Sequence, residues 1–207
     1  MIRSVCLTLG ASLMTATAAL AQAPAAPAPP TTLAMAVQRG YGNVKTVLTQ
    51  ASDKLSDADT IAFKVGSMAE VRNYGQLFAH VANAQYGTCS AVKGVPNPNQ
   101  GKNLENDLKT KAEFVKALAD SFAFCDDAYS SLTDANANDM IMQGRGMIAR
   151  AAALMNNVVH DNEMYGTAAA YLRAKGIVPP STENQAAARG AAGAGAGAPG
   201  GRGRGTP

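Results

Sequence analysis

The stretch AAALMNNVVHDNEMYGTAAAYLRAKGIVPP, residues 151–180, decides how the chain folds. Leu154, Val158, Tyr165 and Leu172 recur at steps of four and seven, which keeps them on one side of a 3.6-residue turn. Gly176 supplies a C-terminal stop, with Arg173 and Lys175 in the last turn and Pro179-Pro180 just beyond. The spacing predicts one long amphipathic helix. A second line, His160, Met164, Ala168 and Tyr171, runs beside the apolar one, each side chain a turn above the last. A histidine, a thioether and a phenol on a stripe bordering the core are the candidate chemistry of this sequence.

Three further amphipathic segments precede it. Thr31 or Thr32 caps a first helix through Leu33, Val37, Val44, Val47 and Leu48, ending near Leu55, with Gly40 and Gly42 weakening its middle. A second, from about Ala69 to Ala91, places Tyr74, Leu77, Phe78, Val81 and Ala84 on one arc with His80 at its border. A third, from about Leu104 to Leu132, carries Phe114, Leu118, Phe122, Cys125 and Tyr129 at steps of three and four. The fourth helix is expected to start between Asn138 and Gly146. Between the first two, SDADTIAFKVGSM (56–68) reads as an extended link. GVPNPNQGKN (94–103) reads as a plain loop of turn residues. Four helices and no convincing strand predict an all-α four-helix bundle.

The ends of the chain differ from this body. Arg3, the apolar run VCLTLGASLMTATAAL (5–20) and the closing Ala19-Leu20-Ala21 form a secretory-signal pattern, with cleavage expected before Gln22. Residues 1–21 are thus expected to be removed, and no transmembrane segment should remain. Residues 22–30, QAPAAPAPP, read as an extended Pro/Ala spacer. Residues 182–207 have no large apolar side chain and are expected to be a disordered Gly/Ala/Arg tail. The domain spans residues 31–181, and the expected location is secreted or periplasmic. Of the 18 basic and 15 acidic residues, Arg3, Arg189, Arg202, Arg204 and Glu183 lie outside the body, which is therefore neutral. A neutral body offers no nucleic-acid-binding surface.

Two stretches, VRNYGQLFAHVANAQYGTC (71–89) and VVHDNEMYGTAAAYLRAKGIVPPS (158–181), resemble the second and fourth helices of the DinB-like superfamily, in its exported branch. The resemblance covers most of residues 33–181, including KAEFVKALADSFAFCDDAY (111–129) between them. It implies a four-helix bundle with a longer crossover between the second and third helices. It also implies a divalent metal, often nickel or zinc, held by one histidine on the second helix and two, four residues apart, on the fourth. Better characterised relatives are metal-dependent thiol transferases or isomerases acting with low-molecular-weight thiols. His80 and His160 match two of the three ligand positions. The third is occupied here by Met164.

That departure changes the chemistry. Three imidazoles suit zinc, nickel or copper, whereas a thioether is a poor ligand for zinc or nickel and an acceptable one for Cu(I). With two histidines in the chain, Glu163, Gln85 or water would have to complete a shell around zinc or nickel. The candidate metal set is therefore His80, His160 and Met164, with zinc or nickel favoured over copper, and with no metal at all as the other expectation. His80 and His160 also read as hydrogen-bonded core histidines, and Met164 as a gap-filler. Two functional expectations follow. One is an exported metal-dependent hydrolase or transferase acting on an unidentified small molecule. The other is a non-catalytic binding or stress-related bundle that has lost its metal. Two-fold packing is common for such bundles, so a homodimer is the assembly to expect. Removal of Cys6 with the signal leaves Cys89 and Cys125, an even count that in an oxidising compartment points to a disulfide between the second and third helices.

Overall fold

The computed structural model describes residues 30–100 and 102–195. The expected signal segment, the spacer up to Pro29 and the last part of the tail lie outside these described residues. Four long helices form the bundle: α1 (Leu33–Ser52), α3 (Tyr74–Lys93), α5 (Lys111–Ser130) and α6 (Arg150–Ala174). Short elements fill the connections: α2 (Asp57–Ala62), α4 (Leu104–Asp107) and a hairpin of β1 (Met140–Gln143) and β2 (Gly146–Ala149). A last helix, α7 (Pro180–Gly195), follows. The all-α bundle stands, with one two-stranded sheet added. No helix among the described residues is long and apolar enough to cross a membrane.

Both α1 and α3 pack against α5 and α6, so the four long helices close a ring around one apolar core. Buried Ala34, Val37, Tyr41, Val44, Leu48 and Ala51 alternate steps of three and four along α1, the period of one buried helix face. Gly40 does not break this helix. Its missing side chain lets α6 approach, since a Cβ there would stand 3.1 Å from Val158 Cγ1. Gly75 plays the same part between α3 and α5: an added Cβ would fall 2.4 Å from the Phe114 ring. Cys89 and Cys125 are paired as a disulfide across α3 and α5, with their Cα atoms 5.3 Å apart.

Several boundaries differ from the sequence expectation, each for a local reason. α3 begins at Tyr74 rather than near Ala69, because Asn73 and Gln76 form a capping box there. The third bundle helix begins at Lys111 rather than Leu104. Thr110 and Glu113 form a second capping box, and Leu108 is extended, so residues 104–107 become a separate turn of helix. The link at 56–68 is partly helical, because Ser56 caps Asp57–Ala62 by accepting from the Asp59 amide. The fourth bundle helix starts at Arg150, later than expected, and residues 140–149 are strands. Gly144, at φ 61°, takes the first central position of a two-residue turn, which suits a hairpin and not a helix. The hairpin flanks then serve α6: its first amides, of Arg150 and Ala151, donate to the carbonyls of Asp139 and Ala137.

The end of α6 is the stop read from the sequence. Gly176 lies at φ 73°, and the Ile177 amide returns to the Leu172 carbonyl, closing a Schellman motif. The segment after it is helical to Gly195, where disorder was expected from Ser181 onward. Its first turn is tied down: the Ser181 amide donates to the Tyr165 hydroxyl, Lys54 pairs with Glu183 at 2.7 Å, and Asn184 donates to Gln50. Alanine then propagates the helix without needing a core contact.

Two consequences can be measured. Gly75→Ala drives a methyl into the Phe114 ring and should lower stability by about 1–3 kcal/mol in urea unfolding, as overpacking does; an unchanged midpoint would contradict the close approach. Reduction, or Cys89→Ser with Cys125→Ser, should cost about 2–4 kcal/mol, and alkylation of the unreduced protein should label neither Cys89 nor Cys125.

Candidate functional site

α3 and α6 lie side by side, and their contact brings His80 and His160 together. The ring centroids are 4.9 Å apart with planes tilted by 49°. Each side chain is about a quarter exposed, at 28% and 27%, so the pair sits at the protein surface rather than in the core. Each ring also has a carboxylate on the same nitrogen. His80 Nδ1 is 2.6 Å from Glu105 Oε1, and His160 Nδ1 is 3.3 Å from Asp161 Oδ1. A carboxylate at Nδ1 favours the proton there and leaves Nε2 with its lone pair free.

Glu105 reaches the site from α4, in the crossover between the second and third bundle helices. Its second oxygen takes the Arg72 Nε at 2.5 Å, and its backbone carbonyl accepts from Gln76. The Arg72 carbonyl in turn accepts from the Tyr171 hydroxyl of α6 at 2.7 Å. Burial alone would raise the Glu105 pKa, but the hydrogen bonds and charges of Arg72 and His80 outweigh it and hold the carboxyl below its ordinary value. Glu105 is therefore an ionised, fixed partner for His80.

Asp161 is held differently. It is fully buried and accepts from Gln85 Nε2 at 2.8 Å and from Asn157 Nδ2 at 3.4 Å. Asn157 also donates to the Tyr129 hydroxyl, which donates to the Leu154 carbonyl. Burial pushes the Asp161 pKa up to about 6, against the lowering influence of His160 and Gln85. Two acceptors in this cluster, Gln85 Oε1 and Asn157 Oδ1, are buried without a hydrogen-bond partner. A cleft of about 320 Å³ opens beside them, lined by Gly87 and Thr88 of α3, Asn156 and His160 of α6, and Gln143 and Gly144 of the hairpin.

Of the residues singled out in the sequence, His80 and His160 are thus adjacent. Met164 lies one turn past His160 on α6, buried within the apolar core cluster. Glu163 is exposed, and Gln85 is committed to Asp161. Among the described residues no three His, Cys, Asp or Glu side chains are grouped so as to hold a metal. The sequence reading missed Glu105, Arg72 and Asp161. Asp161 had a visible signal, an acid directly after the histidine in VVHDNE. Glu105 had none, because only the path of the crossover brings it to His80.

With this geometry in view, the protein is a four-helix bundle with a polar, two-histidine site between its second and fourth long helices. No protein-family model matches the sequence, and no curated protein does. Solved structures do. The chain is similar to a DinB-like protein from Bacillus cereus ATCC 10987, with a TM-score of 0.57 and 14% identity over 70% of this chain and 93% of that one. It is also similar to a conserved protein from Enterococcus faecalis, with a TM-score of 0.54 and 12% identity over 67% and 94%. The chain has the DinB-like fold.

The raised Asp161 pKa has a stability consequence of definite sign. A carboxyl that holds its proton more tightly when folded favours the native state at low pH. That advantage is lost as pH rises from 3.8, its ordinary value, through about 6. Wild-type protein should therefore lose on the order of 2–3 kcal/mol relative to Asp161→Asn between pH 4 and pH 7. Parallel urea titrations of the two would contradict the assignment.

Proposed function

We propose that this DinB-like bundle is an exported protein that holds a transition-metal ion between His80 and His160, in an open site that a small-molecule substrate or water completes. The observation that carries this reading is the pairing of the two rings: both have a carboxylate at Nδ1, an arrangement that favours the proton there and Nε2 as the donor. Two imidazoles on adjacent positions of one ion, each bound at about 2.0–2.1 Å, have centroids roughly 5 Å apart. The observed 4.9 Å fits that requirement. Carboxylate–histidine pairing is also the arrangement that orients ligating histidines and raises their basicity.

The donor set fits an ion without enclosing it. Two imidazoles are two ligands short of a closed tetrahedral shell, and Met164 can add only a soft thioether. Zinc or nickel should therefore bind more weakly here than in a three-histidine site, and remain exchangeable. When bound, such an ion supplies a Lewis acid for a hydrolase- or transferase-type reaction. The chain supplies the rest. Glu105, clamped by Arg72, fixes the His80 ring, while Asp161 and its amide partners fix His160. The cleft at Thr88, Gln143 and Asn156 offers polar groups to orient a small substrate. Export is supported by the N-terminal signal pattern and by the Cys89–Cys125 pairing, which suits an oxidising compartment.

A second reading is favoured by Met164, whose burial in the core fills the place of a third ligand with an apolar contact. On that reading the bundle is a non-catalytic binding module, and the cleft is its ligand pocket. Elemental analysis after equilibrium dialysis against zinc, nickel or copper, which keeps an exchangeable ion in place, separates the two. The metal reading expects zinc, nickel or copper at a fixed fraction of the protein, lost in both His80→Ala and His160→Ala. Metal content equal in wild type and both variants would contradict it and leave the binding module.

A further inference from the structure

The hairpin presents three methionines on one face. Met140, Met142 and Met147 are 56%, 59% and 55% exposed. Met142 stands opposite Met147 in the register, and Met140, two residues before Met142, projects to the same side. The other face carries Ile141 and Ile148, paired with each other and packed against the bundle core. Gln143 adds a hydrogen bond to Thr88 of α3. These contacts fix which face is turned outward.

The turn sets the spacing. In a hairpin with a two-residue loop, the pair closing the turn, here Gln143 and Gly146, exchanges hydrogen bonds. The next pair, Met142 and Met147, is then the close one, with Cα atoms about 4.5 Å apart. Met140 lies about 7 Å along the strand from Met142. Metal–sulfur bonds of about 2.3 Å require three sulfurs about 4 Å apart. Side chains with three rotatable bonds reach that spacing from these positions.

The residue type is what needs explaining. Exposed strand positions favour β-branched, aromatic or polar side chains, and methionine is none of these. The inward positions of the same strands carry isoleucine, as burial on a sheet favours. What the three outward positions share, and leucine or valine would lack, is a thioether. A thioether is soft and uncharged and selects Cu(I) among biological ions. It has no proton to lose, so its metal binding does not compete with acid as imidazole binding does.

We infer that Met140, Met142 and Met147 form a soft-metal site on the outer face of the hairpin, binding one Cu(I) or Ag(I) ion through three thioethers. The site is separate from the His80–His160 pair and stands whether or not that pair binds metal. Ag(I) is the convenient probe, because it needs no reductant and leaves the disulfide intact. The protein for the test is the full chain carrying Cys6→Ser, since Cys6 is the cysteine outside the Cys89–Cys125 pair. Titration is followed by calorimetry and by methionine methyl resonances. The expected result is one equivalent of Ag(I) with three methyl signals shifted. Each single Met→Leu change at 140, 142 or 147 should weaken binding about tenfold or more. The triple variant should abolish it, while Met164→Leu and His80→Ala leave it intact. Absence of binding, binding unchanged in the triple variant, or binding lost in Met164→Leu would each overturn the site. The first of these would leave the face as an apolar contact surface for another protein.

Discussion

A carboxylate fully withdrawn from water must be surrounded by donors or held neutral, and Asp161 imposes that requirement at the centre of the bundle. Its partners come from two helices, Gln85 on α3 and Asn157 and His160 on α6. Asn157 extends the network to Tyr129 on α5, and the Tyr129 ring stacks on Tyr41 of α1 at 3.7 Å. Three of the long helices therefore share this polar cluster, and α1 joins it through the stacked Tyr41 ring. An apolar core tolerates small rotations of its helices, whereas this cluster loses a buried hydrogen bond when any member moves. The position of the His160 ring follows from it.

His80 is placed by independent means. Glu105 is brought in by a single turn of helix in the crossover and locked by Arg72, whose carbonyl is tied to Tyr171. One histidine is thus oriented by a salt-bridged carboxylate at the rim and the other by a desolvated carboxylate beneath it. The two acids respond in opposite senses, Glu105 held below its ordinary pKa and Asp161 raised to about 6. The two rings lie side by side at the surface, while Met164, one turn further along α6, packs into the apolar core. On the hairpin, the inward isoleucines leave Met140, Met142 and Met147 exposed on the outer face.

The four long helices were legible because their apolar residues recur with helical period over twenty residues or more, and the Gly176 stop needs only local backbone geometry. The nearness of His80 and His160 was legible by resemblance to a known pattern. What escaped was set by short-range capping or by tertiary approach. The break before Lys111 depends on Thr110 and Glu113 exchanging hydrogen bonds. The hairpin at 140–149 alternates over only four residues per strand, too few to stand out beside a helical neighbour. The helix at 180–195 depends on Tyr165, Lys54 and Gln50, far away in sequence. Glu105 lies twenty-five residues from His80, and no local pattern announces that it faces it.

A metal held by this pair requires the two imidazoles to share one tautomer, with the proton on Nδ1 against a carboxylate and Nε2 free. Long-range nitrogen–proton NMR correlation of the histidine rings, recorded on metal-free protein at a pH where both are neutral, reads this directly. The expected result is Nδ1-protonated rings for both His80 and His160, with His80 changing its pattern in Glu105→Gln. Rings protonated at Nε2 would contradict that arrangement, since the remaining lone pair would lie on Nδ1, which faces a carboxylate.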